Sequence, residues 1–203
     1  MIAKIYSGLR VYLSTLSVED ADDIAENAND KEIAYRLGAR EFPSPYERSH
    51  ALNFIEAATQ KMLLKEEAHF GIHLAEGGKL IGVEGYNTLD FANRKGEIGY
   101  WIGRKYWGNG YGKEAASLLI RFGFEILKLH RIEAKVFDFN STSKALLKSL
   151  GFSLESTMQE SYFDGSKYLN ENLFVALEKD YKISLNLRIE GELPLLSKED
   201  SMR

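Results

Sequence analysis

Glu97-Ile98-Gly99-Tyr100-Trp101-Ile102, followed closely by Trp107-Gly108-Asn109-Gly110-Tyr111-Gly112, is the stretch on which the fold turns. The first run is rich in aromatic and β-branched residues and reads as a strand. The second is a glycine-rich turn. Beyond it, Ala115, Leu118, Leu119, Phe122 and Ile126 fall on one apolar face, which predicts an amphipathic helix. Lys128, His130 and Arg131 place positive charge at its end, where the helix dipole favours it. Strand, glycine turn and helix N-terminus together make an anion site, because the first-turn amides have no partner inside the helix. Glycines at 108, 110 and 112 let the backbone come close to a phosphate, and a turn that binds nothing needs fewer of them.

Working outward, His69–Leu74 and Leu80–Tyr86 read as strands joined through the turn Glu76-Gly77-Gly78-Lys79. Asn93-Arg94-Lys95-Gly96 turns the chain again before Glu97. Toward the start, Leu9-Arg10-Val11-Tyr12-Leu13 alternates and reads as an edge strand, and Ser17 stands as a helix N-cap ahead of Glu19 and Asp20. Ser44-Pro45-Tyr46-Glu47 has the form of a capping box with proline at the first helical position. The helix it predicts carries Leu52, Ile55, Thr59 and Met62 along one stripe. Downstream, Ile132–Phe139 alternates as a strand, and Asn140 caps a shorter helix ending at Leu150-Gly151. Two strands, near Phe152–Thr157 and Leu169–Leu177, follow. From Lys182 onward Ile183, Leu185, Leu187 and Ile189 alternate with polar residues; an extra strand and a partly disordered tail both fit. The division is thus a domain over 1–181 and a tail over 182–203.

Composition narrows the classes. The chain has 203 residues, a size for one domain, and its 44% hydrophobic content allows a substantial core. It has no cysteine, which excludes disulfides, zinc–thiolate sites and any cysteinyl-enzyme intermediate in acyl transfer. The four histidines show no ligand spacing with acids, so no metal site is expected. A net charge of -4 speaks against direct nucleic-acid binding. No run approaches a membrane span, and Met1–Tyr6 lacks a signal peptide's apolar stretch, so a cytoplasmic location is expected.

The loop's spacing fits neither the dinucleotide fingerprint G-x-G-x-x-G nor the P-loop, whose lysine is followed by Ser or Thr where this chain has Glu114. Glu97–Gly103 together with Tyr106–Ala115 instead resembles the acetyl-CoA segment of the GNAT N-acetyltransferase superfamily. Asn140, Ser143 and Leu150-Gly151-Phe152 resemble its second signature. The likeness runs from about residue 9 to 180, and Tyr106-Trp107 with Pro43-Ser44-Pro45-Tyr46 is similar to the branch that acetylates ribosomal-protein N-termini. It implies an α+β fold, a mostly antiparallel twisted sheet of about seven strands flanked by helices. It also implies an N-acetyltransferase with acetyl-CoA as cosubstrate and no metal.

By the same resemblance, the CoA pyrophosphate is expected on the amides of Gly108, Asn109, Gly110, Tyr111 and Gly112, beside Trp107 and Lys113. The pantetheine arm is expected along Tyr100, Trp101 and Ile102, with Asn140 and Ser143 at the thioester end. Trp107 stands where much of the superfamily has Arg or Gln. An amine nucleophile must lose a proton, and Glu97 is the candidate base, with Glu84 in reserve. The tyrosine that many members use as general acid is replaced by Leu147, which leaves Ser143 or an unaided thiolate. The acceptor is expected between Pro43–Glu47 and Tyr162, Asp164 and Tyr168, where Glu41, Glu47 and Asp164 offer negative charge. A protein N-terminus, a polyamine and an aminoglycoside all remain open as acceptors, as does an acetyl-CoA-binding module without turnover. The alternating tail also allows a strand added to a partner in a homodimer.

Overall fold

A computed structural model describes residues 3–38, 42–182 and 186–196. Among them nine strands form one sheet: β1 (Lys4–Tyr6), β2 (Val11–Thr15), β3 (Ala68–Leu74), β4 (Leu80–Asp90), β5 (Lys95–Ile102), β6 (Arg131–Phe137), β7 (Ser153–Phe163), β8 (Tyr168–Leu177) and β9 (Arg188–Glu190). Their order is β7-β8-β6-β5-β4-β3-β2-β1-β9. Five helices flank it: α1 (Ala21–Ala28), α2 (Lys31–Leu37), α3 (Arg48–Leu63), α4 (Tyr111–Arg121) and α5 (Ser141–Ser149). One face is covered by α1 and α3 through Ile24, Ala51, Ile55 and Val83. The other is covered by α4, whose Leu118 and Leu119 join Phe70, Ile132 and Leu147 in the larger core. No helix among the described residues is long and apolar enough to cross a membrane.

Every neighbouring pair of strands is antiparallel except β5 with β6. That pair meets only at Lys95–Arg131, Gly96–Ile132 and Glu97–Glu133. From there β5 follows β4 to Ile102, while β6 follows β8 to Phe137. The sheet therefore splits into a V just after Glu97, and the outer edge of residues 98–102 has no strand against it among the described residues.

Helix α4 does not run straight to Ile126. Its last turn, Phe122–Ile126, is a π segment closed by Leu127 N–H to Phe122 O at 3.0 Å. Tyr86, buried on β4, donates its hydroxyl to Leu119 O at 3.0 Å, and a Cβ on Gly123 would sit 1.9 Å from that hydroxyl. A polar group inserted into the helix ladder is a known cause of such a bulge, and glycine supplies the room.

Several boundaries differ from the sequence expectation. The segment beginning at Leu9 yields β2, which lies between β1 and β3 and is not an edge. Helix α3 starts at Arg48, not after Ser44, because Glu47 N–H donates to His50 Nδ1 at 3.0 Å and closes the cap one turn later. Its buried stripe is Ala51, Ile55, Ala58 and Met62; Leu52 is only half-buried and Thr59 is exposed. The strand count rises from about seven to nine because of the short strands β1 and β9. Strand β9 pairs with β1 through Lys4–Glu190, Ile5–Ile189 and Tyr6–Arg188, and Leu193 and Leu195 are buried in the larger core. Ile183, Leu185 and Glu41 lie outside the described residues.

Candidate active site

The V holds a cleft of about 290 Å³ between the end of β5, the glycine turn, the start of α5 and α2. Its backbone wall follows from strand alternation. Gly103 N–H bonds Ile81 O at 2.8 Å, so in the regular register Gly82–Ile102 and Glu84–Tyr100 the amides and carbonyls of Tyr100 and Ile102 face away from β4. They point into the split. Trp107 takes one of these groups, its indole N–H donating to Ile102 O at 2.6 Å. This is the work of the tryptophan that departs from the superfamily pattern: it ties the turn to the strand edge by a neutral hydrogen bond.

The turn itself is built from backbone. Gly108 and Gly110 have φ of 78° and 83°, a region L side chains rarely enter. Lys113 and Glu114 N–H both bond Gly110 O, at 3.1 and 3.2 Å, so the amides of residues 108–112 ahead of them are left for an anion. Asn109 turns its side-chain amide onto the carbonyls of Tyr106 and Trp107, both at 3.2 Å, and holds the turn's shape. Arg10, at the head of β2, clamps it from outside: Nε donates to Glu114 Oε1 at 2.7 Å and Nη2 to Asn109 O at 2.9 Å. Its guanidinium also lies 4.9 Å from the Tyr111 ring.

A second cleft, of about 330 Å³, opens on the other side of the split. The two share Arg36, Leu37, Tyr100, Asn140 and Ser143. Asn140 caps α5, its carbonyl oxygen accepting from Ser143 N–H at 3.2 Å and from Arg36 Nη1 at 2.8 Å. Arg36 comes from α2, which Asp30 caps by accepting from Glu32 N–H at 2.8 Å. Its guanidinium also lies 5.2 Å from the Trp107 ring. Where the clefts meet, the Tyr100 hydroxyl and Ser143 Oγ are 2.7 Å apart. Burial pushes the Tyr100 phenol up to about 12, against a smaller opposing effect of the Ser143 bond. The pair keeps its protons at neutral pH. Glu97 lines the second cleft, 2.8 Å from Lys135 Nζ across the last residues where β5 and β6 still touch.

Of the residues expected at the cofactor, all except Asn109 line the first cleft. Glu97 lies in the second, and Ser143 belongs to both. Glu84 does not join them. It is 1% exposed, sits opposite Tyr100 on the α4 face, and lines neither cleft. Burial holds its carboxyl well above the usual range. Leu147 is wholly buried in the core. Tyr162 lines the second cleft, but Asp164 is taken up by its own turn, accepting from Ser166 and Lys167 N–H at 2.8 and 2.9 Å. Glu47 is at the head of α3 and lines neither cleft.

Arg36, Lys135 and the hydroxyl role of Tyr100 were not legible in the sequence. They come together only through the order of strands and the placement of α2. Among the described residues no group of three His, Asp or Glu side chains could hold a metal ion.

The chain also resembles known proteins. A family model described as an acetyltransferase (GNAT) domain matches residues 10–153. The uncharacterized N-acetyltransferase p20 of Bacillus licheniformis is 33% identical over 172 residues, covering 85% of this chain and 95% of that protein. The ribosomal-protein-serine acetyltransferase of Escherichia coli is 29% identical over 99 residues, 49% of this chain and 55% of that one. The fold matches a microcin C7 self-immunity acetyltransferase solved with acetyl-CoA and AMP, at a TM-score of 0.73 and 22% identity, covering 83% of this chain and 92% of that one.

Proposed function

This chain belongs to the GNAT acetyltransferase family, and we propose that it transfers the acetyl group of acetyl-CoA directly to the α-amino group of a protein N-terminus. The observation that carries the reading is the split after Glu97. It sets a backbone-lined anion cleft against a polar side-chain cleft, with Tyr100 and Ser143 shared between them. The Escherichia coli relative, by its name, acts on a ribosomal protein and supports the acceptor class.

The residues fit the cosubstrate. Amides of residues 108–112 at the start of α4, with Lys113 beside them, hold the pyrophosphate. The edge groups of Tyr100 and the Ile102 amide, which Trp107 leaves open, pair with the amides of the pantetheine arm. When bound, acetyl-CoA supplies the thioester that the amine attacks. Glu97 takes the proton from the acceptor ammonium, directly or through one water. The Ser143 hydroxyl, ordered by Tyr100 and by the α5 cap, donates a hydrogen bond to the departing sulfur, and the thiolate takes up the second proton that the amine nitrogen sheds as the amide forms. A thiol titrates near 8.5, so this assistance is modest. Arg36 fixes Asn140 and leans on Trp107, holding the two walls at their separation.

The test is CoA release, followed with a thiol-reactive dye across N-terminal peptides, polyamines and aminoglycosides; the protein has no cysteine to react. Release with peptides carrying a free α-amine is the expected result. Acetyl-CoA binding without release for any acceptor would identify a binding module instead.

A further inference from the structure

We propose that Lys135 sets the acceptor class: held on Glu97 at the mouth of the second cleft, its ammonium turns away polycationic amines and admits a singly charged amine with neutral or acidic neighbours. The inference rests on the transferase reading above and refines its acceptor.

A site for a polyamine or an aminoglycoside needs several carboxylates free to meet several cations. This cleft does not offer them. It is lined by two carboxylates, Glu97 and Glu171, and by two cations, Arg36 and Lys135, so its formal charge cancels. Glu97 is ion-paired with Lys135 at 2.8 Å, Glu171 accepts from Ser161 Oγ at 2.8 Å, and Arg36 is held by Glu32 Oε1 at 2.8 Å, which leaves Lys135 as the cation that decides. The hydrogen bond to Glu97, ahead of the charge attraction, pushes the Lys135 ammonium up, so it stays charged. Its side chain is still 43% exposed, and its field reaches an entering ligand. One ammonium can displace Lys135 from Glu97 and deliver its proton there. Every further cation on the same molecule then meets the displaced Lys135 ammonium, and like charges brought together in a cleft are a strong device for rejecting a partner. An acidic or neutral group near the amine meets that ammonium, or the ring pair of Phe137 and Tyr162 at 4.9 Å.

The experiment measures kcat/KM for spermidine and for peptides with a free N-terminus bearing acidic, neutral or basic second and third residues. The wild type is compared with Lys135→Met and Lys135→Arg, each checked for melting temperature and acetyl-CoA affinity. The wild type is expected to favour neutral and acidic peptides over spermidine by about a hundredfold at low salt, with the margin shrinking as salt screens the cleft. Lys135→Met narrows the margin by about tenfold, while Lys135→Arg preserves it. Overall rates change in Lys135→Met because Glu97 loses its partner, which is why the ratio is the readout. Peptide turnover with a ratio that Lys135→Met leaves unchanged, or a wild type that prefers spermidine, overturns this inference and leaves the transferase reading standing. Bound acetyl-CoA with no release for any acceptor brings down both.

Discussion

The two clefts on either side of the split are made of different material. The first is a backbone construction: strand-edge groups of Tyr100 and Ile102, and the amides of a turn whose glycines take positive φ. The second is a side-chain construction, lined by the charged groups of Glu97, Lys135, Arg36 and Glu171. A backbone site reads one invariant ligand and tolerates changes in the side chains around it. A side-chain site is where selectivity resides, and single substitutions rewrite it. The difference is that between grip and choice.

The sharpest way to break this comparison is in the turn. Gly110→Val forces a β-branched residue to a φ of 83° and sets its Cβ 3.3 Å from Arg10 Nη2. Isothermal titration should show acetyl-CoA affinity reduced by more than about a hundredfold with circular dichroism unchanged. Undiminished affinity would mean that the turn is not the phosphate cradle. On the other side, Glu97→Gln should lower kcat by about a hundredfold and leave acetyl-CoA affinity alone. Its pH optimum should move upward, since the amine must then arrive already neutral. A pH–rate profile identical to the wild type's excludes Glu97 as the base.

At the shared boundary, Ser143→Ala and Tyr100→Phe should each cost about tenfold in kcat, and the double variant little more than the worse single one, because they share one hydrogen bond. Independent, multiplying losses would separate the two hydroxyls.

The smallest effect is on stability. Glu84 has a folded pKa raised by burial, so its contribution to stability is present below the unfolded carboxylate value and is lost as pH rises toward the folded one. Both of its carboxyl oxygens are buried without a hydrogen-bond partner among the described residues. Glu84→Met, similar in volume, should therefore raise Tm by about 4 °C at pH 8 and by much less at pH 4.5, with both clefts working as before. A lowered Tm at pH 8 would show that the acid has a partner after all.

The first cleft was legible in the sequence because backbone sites leave local signatures. The glycines at 108, 110 and 112, the apolar face beginning at Ala115, and the Asn140 cap are all statements about neighbours in the chain. The second cleft was largely illegible. Glu97 meets Lys135 only because β5 and β6 are parallel, in register at Glu97–Glu133, and then diverge. Arg36 reaches Asn140 from a helix more than a hundred positions earlier in the sequence. The acids that the sequence offered to the acceptor, Glu47 and Asp164, are occupied with capping α3 and closing a turn. The misplacement of the α3 start has the same root, since nothing local ranked His50 above Glu47 as the residue that closes the cap.

The pairing of β9 with β1 has a consequence for how the molecule is made. Ala3 and Ile5 are made well before their partners: the strand that covers their edge and the leucines that fill out their core, Leu193 and Leu195, come nearly two hundred residues later in the chain. Strand β1 therefore waits with a bare hydrogen-bonding edge while the residues between it and β9 are made, at the stage when stray strand pairing does most harm. Lys4 and the three-residue length of β1 are what guard it in the interval.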